Sequence, residues 1–173
     1  KIKFLGNISE NLKLIKLKKT KGFIAIGNNY IRKKVSEEIK IINPNFKWQK
    51  LIDPSCIISK SSNIGLGTVI VAGSVINANT IIGAHCIINT KNSIDHDNII
   101  GDFSSTGPSV TTGGSVKIGS TSHIGLSSTV KNNVNIGSNT IVGACSFINK
   151  NCASNSLYFG SPAKKKSIWK FGK

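Results

Sequence analysis

The chain has 173 residues, 39% of them hydrophobic, and 23 Lys and Arg against 7 Asp and Glu for a net charge of +16. With mean hydropathy near zero, this suits one folded domain, or one plus a small satellite, and excludes a disordered chain. No apolar run nears the roughly 18 residues of a spanning helix, and no signal-peptide pattern opens the chain.

Residues 1–50 carry 13 basic against 3 acidic side chains, residues 51–153 carry 5 against 4, and residues 154–173 carry 5 against none. The basic flanks lack the interleaved aromatics on which single-strand binders stack bases, which argues against a nucleic-acid partner. Two readings remain: attraction of phosphate-bearing small ligands, or a solvated basic surface. Cys56, Cys86, Cys145 and Cys152 form no C-x-x-C pair. They read as small buried side chains of a cytoplasmic protein, with no disulfide and no zinc site. His85, His96 and His123 are spaced 11 and 27 apart, which suits no convergent metal site. The absence of Met reads as a processed or clipped start.

In chain order, Gly22-Phe23-Ile24-Ala25-Ile26 predicts a short buried strand ending at Gly27. Asn28 or Asn29 then caps a helix from Tyr30 to about Lys40. A strand–Gly–helix unit places phosphate-facing backbone at the helix start. After a second loop, Trp48–Ser55 leads into a repeat. From Ile52, steps of six reach 17 positions ending at Ile148, and 15 of them are Ile or Val, with Thr106 and Thr112 the exceptions. The next residue is Gly nine times. Four residues after the aliphatic stands Cys, Ser, Thr or Val, except at Asn92 and Asn98. Six is no helix period but fits strands alternating with period 2. One aliphatic per six points into a narrow interior, the small residue sits at a corner, and Gly is expected to supply turn angles. Three hexads per coil make about six stacked coils, roughly 27 Å at 4.8 Å per strand.

On this pattern the chain resembles the hexapeptide-repeat acyltransferases, which implies a mainly β fold: a left-handed parallel β-helix of about six coils. The segments FIAIGNNYIRKK (23–34), LIDPS (51–55), SIDHDNIIGDF (93–103) and FGSPAKK (159–165) narrow the resemblance. They are similar, in order, to the bacterial nucleotide-sugar N-acetyltransferases of the bacillosamine and perosamine type, with the sialic acid O-acetyltransferases as cousins. The resemblance implies residues 1–51 as a small, N-terminally incomplete α/β nucleotide-sugar-binding domain, with Lys1–Leu5 its second strand. The β-helix follows over 52–153, and a basic tail over 154–173.

The resemblance also implies roles. His96, in Asp95-His96-Asp97, matches the general base, with Asp97 as its orienting acid. An imidazole with a near-neutral pKa beside a carboxylate suits that task, although D-H-D alone equally describes a surface His between two acids. Gly114 matches the backbone N–H that polarises the thioester carbonyl, and Gly113-Gly114 also reads as a turn. Ser105 stands where relatives carry a second His, facing acetyl-CoA or the acceptor. Leu126 and Ala144 match the coenzyme groove, or are plain outward coil residues. Gly160, Pro162, Ala163 and Lys164 match a tail motif beside pantetheine or the nucleotide. Gly27, with Asn28, matches the sugar-nucleotide side, and Gly6-Asn7 replaces the acids often found there. The expected activity is transfer of acetyl from acetyl-CoA to a UDP-linked 4-amino sugar by a homotrimer with sites between prisms. A sugar O-acetyltransferase and a non-catalytic trimeric scaffold are the alternatives.

Overall fold

A computed structural model describes residues 15–16 and 21–169, so the expected strand Lys1–Leu5 and the Gly6-Asn7 pair lie outside the described residues. The chain enters as β1 (Lys21–Gly22), α1 (Asn29–Ile42) and β2 (Lys47–Trp48). The strand expected over 22–26 is shorter than predicted. Of residues 21–26, only Lys21 and Gly22 pair as a strand, in parallel with Lys47 and Trp48. The helix starts as its sequence requires. Asn28 adopts extended angles and its side chain accepts from the Ile31 N–H at 3.0 Å, satisfying one orphan donor of the first turn. Pro44 follows the C-terminus, where a helix cannot continue.

From Leu51–Ile52 (β3) to Phe147–Ile148 (β19), one two-residue strand recurs every six residues. The strands stack in parallel at intervals of 18 residues, forming the three faces of a triangular prism. The first face begins with β3, the second with β4 (Ile57–Ile58), and the third with β5 (Asn63–Ile64). The predicted β-helix of about six coils is therefore the architecture. Its interior is the aliphatic column: Ile70, Ile88, Ile94 and Ile124 are wholly buried, each worth about 1.5–3 kcal/mol over exposure. Thr106 and Thr112 are buried in the same column. Ile52 is exposed and Ile58 half-buried, because the first coil has no coil beneath it.

The repeat glycines serve a different purpose from the one expected. The left-handed backbone angles fall two residues later, on non-glycines such as Asn79, Asp97, Ser115 and Asn133, with φ of 58°, 57°, 57° and 61°. The glycines instead permit close stacking. A Cβ on Gly65, Gly107 or Gly125 would lie 2.4–2.5 Å from backbone atoms of the next coil, a separation that carbon and nitrogen cannot share. Of the cysteines, Cys86 and Cys152 are buried, Cys56 is intermediate and Cys145 is exposed on a turn, and all are free. The stretch expected as a basic tail folds as a hairpin, β20 (Ser156–Gly160) against β21 (Ala163–Ile168), added to the first face through β18 (Ile141–Val142).

The helix is tied to the prism by polar groups. Its buried stripe is Asn29, Arg32, Ser36 and Ile39. Arg32 is wholly buried and donates to the carbonyls of His85 at 2.8 Å, Ile26 at 2.8 Å, Gly27 at 3.1 Å and Phe103 at 2.9 Å, and to Asn29 Oδ1 at 2.7 Å. Burial pulls its pKa down to about 10, so it stays charged at neutral pH. Asn29 Nδ2 reaches the carbonyls of Thr121 and Ser122 at 3.2 and 3.0 Å. Replacing Arg32 by Met strands several of these acceptors, at a cost of about 3 kcal/mol. In a Trp169→Phe background, urea unfolding followed by Trp48 fluorescence is expected to shift to lower midpoint accordingly. An unchanged midpoint would show that the helix is held elsewhere.

Candidate active site

His96 occupies the turn between the second and third faces, after β10 (Ser93–Ile94) and before β11 (Ile99–Ile100). Its Nδ1 lies 2.7 Å from Asp97 Oδ2, and both side chains are about half exposed, at 55% and 48%. With the carboxylate accepting, Nδ1 carries the proton and Nε2 presents its lone pair outward. The hydrogen bond to Asp97, followed by the negative charge of Asp95, raises the His96 pKa above its ordinary value, while the bond from His96 lowers that of Asp97. Asp95 Oδ1 accepts the His96 backbone N–H at 2.8 Å. The two acids are braced from the preceding coil: Asn77 donates to Asp95 at 3.0 Å and Asn79 to Asp97 at 3.2 Å. The sequence carried a signal for this brace, since each Asn stands 18 residues, one coil, before its acid.

Gly114 lies one coil on, directly against the imidazole. A Cβ there would come within 2.5 Å of His96 Cε1 and 2.7 Å of Nε2. Its φ is not in the left-handed region, so this glycine is needed for the close approach rather than for turn geometry. The Ser115 N–H donates to the His96 carbonyl at 2.9 Å and locks the two turns together. Among the described residues no acceptor takes the Gly114 N–H. A groove of about 550 Å³ runs from His96 over Thr111, Gly113 and Gly114 to Lys131 and Asn132. The geometry therefore combines an oriented imidazole, an unengaged amide donor and room for a reacting group.

The other anticipated residues lie elsewhere on the same prism. Leu126 and Ala144 project, exposed, from the turns between the first and second faces. Gly160, Pro162, Ala163 and Lys164 form the tip of the hairpin, where Lys166 lies over the Phe159 ring at 4.7 Å. Ser105 is buried on the first face and bonded to His123 Nδ1 at 2.8 Å. Gly27 and Asn28 are exposed at the start of α1, beside the turn between third and first faces through the Arg32 and Asn29 contacts. One prism thus keeps the imidazole and the Leu126–Ala144 column on different corners. Sequence reasoning missed Arg32, because nothing in a helical NNYIRKK run distinguishes an Arg that will be buried. It also missed His85, which is buried, 3.2 Å from Ser36 Oγ and stacked on Phe103. Burial, then the Arg32 charge, hold its pKa down to about 4. Among the described residues no cluster of His, Cys, Asp or Glu could hold a metal, and no helix is long and apolar enough to cross a membrane.

Residues 1–39 match the family described as the PglD N-terminal domain. A stretch of 49 residues is 49% identical to UDP-N-acetylbacillosamine N-acetyltransferase of Bacillus subtilis (strain 168), covering 28% of this chain and 22% of that protein. The structure is similar to PerB from Caulobacter crescentus, solved in complex with CoA and GDP-perosamine, at TM-score 0.85 and 34% identity over 91% of this chain and 76% of that one. It is also similar to the acetyltransferase domain of PglB from Neisseria gonorrhoeae FA1090, solved in complex with acetyl coenzyme A, at TM-score 0.83 and 30% identity over 90% and 76% of the two chains. A hexad prism, an oriented imidazole over a glycine of the next coil, and likeness along nearly the whole chain to PerB agree on one assignment: this protein belongs to the hexapeptide-repeat nucleotide-sugar N-acetyltransferases.

Proposed function

We propose that the chain transfers acetyl from acetyl-CoA to the 4-amino group of a UDP-linked 4-amino sugar. The observation that carries this reading is the His96–Asp97 pair seated against Gly114. The amine nitrogen attacks the thioester carbonyl carbon in a ternary complex, and His96 Nε2 takes the proton that the nitrogen releases. Asp97 holds the proton on Nδ1 and stabilises the imidazolium. The Gly114 N–H donates to the oxyanion of the tetrahedral intermediate. Collapse breaks the C–S bond, and the imidazolium returns its proton to the departing CoA thiolate. No covalent enzyme intermediate is needed, because no Ser or Cys side chain contacts His96 Nε2 among the described residues.

The division of anticipated residues among three corners supports a homotrimer. A second prism set against the His96 corner would bring its Leu126–Ala144 edge and hairpin tip to the thioester, with Gly27 and Asn28 toward the sugar nucleotide. Lys164 offers a cation for a coenzyme phosphate in that arrangement. Ser105 is buried with its hydroxyl engaged by His123, so it is not among the groups this arrangement offers to the coenzyme. The 49-residue match to UDP-N-acetylbacillosamine N-acetyltransferase favours UDP, and the GDP-sugar complex of the similar structure names the competitor to test.

Thiol release from acetyl-CoA should require a 4-amino nucleotide sugar, with the UDP form preferred over the GDP form. His96→Ala should lower kcat by at least about 100-fold while the oligomer stays folded. Near-wild-type turnover would overturn the base assignment. Gly114→Ala, which keeps the amide but sets a methyl against the ring, should lower kcat by about tenfold or more, and a fully active variant would show that the close seating of the ring on Gly114 is not needed. The base must be neutral to accept a proton, so log kcat/KM should rise with pH through an apparent pKa above 6.5, the ordinary His value. In Asp97→Asn the principal raising contact is lost, and the rise should move to lower pH. An unmoved limb would assign that ionisation to another group.

A further inference from the structure

At the corner position four residues past the aliphatic, hydroxyl side chains reach one coil onward. Thr80 Oγ1 donates to the Asp95 carbonyl, Ser104 Oγ to Gly119, Ser122 Oγ to Gly137 and Ser128 Oγ to Gly143, at 2.7–3.0 Å. Asn98 breaks this rule one residue beyond Asp97. It is wholly buried, and its Nδ2 makes the usual onward bond, to the Gly113 carbonyl at 2.9 Å. The same nitrogen also reaches back to the carbonyls of Asp95 at 2.8 Å and His96 at 3.1 Å. Its Oδ1 is buried without a partner, a cost that a Ser at this corner would not carry. The amide therefore gathers, on one nitrogen, the turn bearing His96 and the residue preceding Gly114. A hydroxyl has one proton to donate and cannot replace this gathering.

We infer that Asn98 is a positioning residue for the transfer, fixing the His96 turn at its working distance from the Gly114 amide. This rests on His96 being the base. Asn92 makes the same three-way arrangement one corner earlier, to the carbonyls of Asn89, Thr90 and Gly107 at 2.6, 3.4 and 3.0 Å, and it too leaves Oδ1 unpartnered. Its turn carries Thr90 and Lys91 rather than His96. Asn92→Ser therefore removes the same chemistry without touching the His96 turn.

The test compares Asn98→Ser with Asn92→Ser. Serine fills this corner in several other hexads, so both variants should fold. Asn98→Ser should lower kcat by about tenfold, the scale expected for a sub-ångström misplacement, with KM for acetyl-CoA within about twofold. Hydrogen exchange at the Ser115 amide, whose acceptor is the His96 carbonyl, should accelerate. Asn92→Ser should leave kcat and that exchange rate at wild-type values, with a melting temperature as low as that of Asn98→Ser. Wild-type kcat and exchange in Asn98→Ser would overturn the inference, and so would an equal loss of kcat in Asn92→Ser. If the wild-type protein released no thiol with any 4-amino nucleotide sugar, the proposed reaction would fail. Exchange at Ser115 would then decide the clamp by itself: acceleration in Asn98→Ser alone supports it, and equal rates overturn it.

Discussion

Every feature of the site depends on how closely successive coils stack. Parallel ladders hold neighbouring strands at about 4.8 Å, and at nine of the 17 hexads this leaves no room for a side chain facing the coil above. That is why glycine recurs after the buried aliphatic and why a Cβ there would run into the next backbone. The same constraint makes the His96 arrangement possible. An imidazole can lie against the following coil only where that coil carries Gly114, and the backbone bond from Ser115 to the His96 carbonyl keeps the two turns in register. The spacing of the imidazole and the Gly114 amide is thus set by the pitch of the prism rather than by a flexible loop.

The three histidines show how environment divides one residue type among tasks. His96 is exposed, paired with Asp97 and near Asp95, and its pKa is raised. His85 is enclosed by aromatic rings next to the buried Arg32 charge, which hold it neutral with a pKa of about 4. His123 is lowered as well, by burial first and then by Arg32. Only the first is placed to exchange protons near neutrality. Arg32 accounts for part of this division: it is too buried to meet a substrate, it fastens α1 to the prism through carbonyls, and its charge suppresses protonation of the two histidines nearby.

Polar attachment of α1 also explains how an exposed α/β segment can sit on a prism whose outer surface is largely polar. The corner carbonyls of His85, Phe103 and Thr121 take no backbone donor among the described residues, and Arg32 and Asn29 supply donors to them, Asn29 also reaching the Ser122 carbonyl. Directional bonds of this kind fix orientation more strictly than apolar contact, which tolerates sliding. Gly27 and Asn28 are placed at the helix start by the same bonds.

What the sequence by itself determined was the periodic part. A phase of six held over 17 hexads leaves one way to bury the aliphatic column, so the prism, its coil count and the turn bearing His96 were legible from residue spacing alone. The cap at Asn28 was legible too, because capping is local. Close approaches and buried charges were decided only by the tertiary structure. Gly114 reads in sequence as a turn glycine, Arg32 as an ordinary helical cation and Ser105 as a stand-in for a second His. The physical reason is that each depends on groups far along the chain: the imidazole one coil away, carbonyls 53 and 71 residues on, and the ring of His123. Asn98 stands between the two cases, since the broken hexad pattern marked it as unusual, and only the fold revealed which carbonyls it gathers.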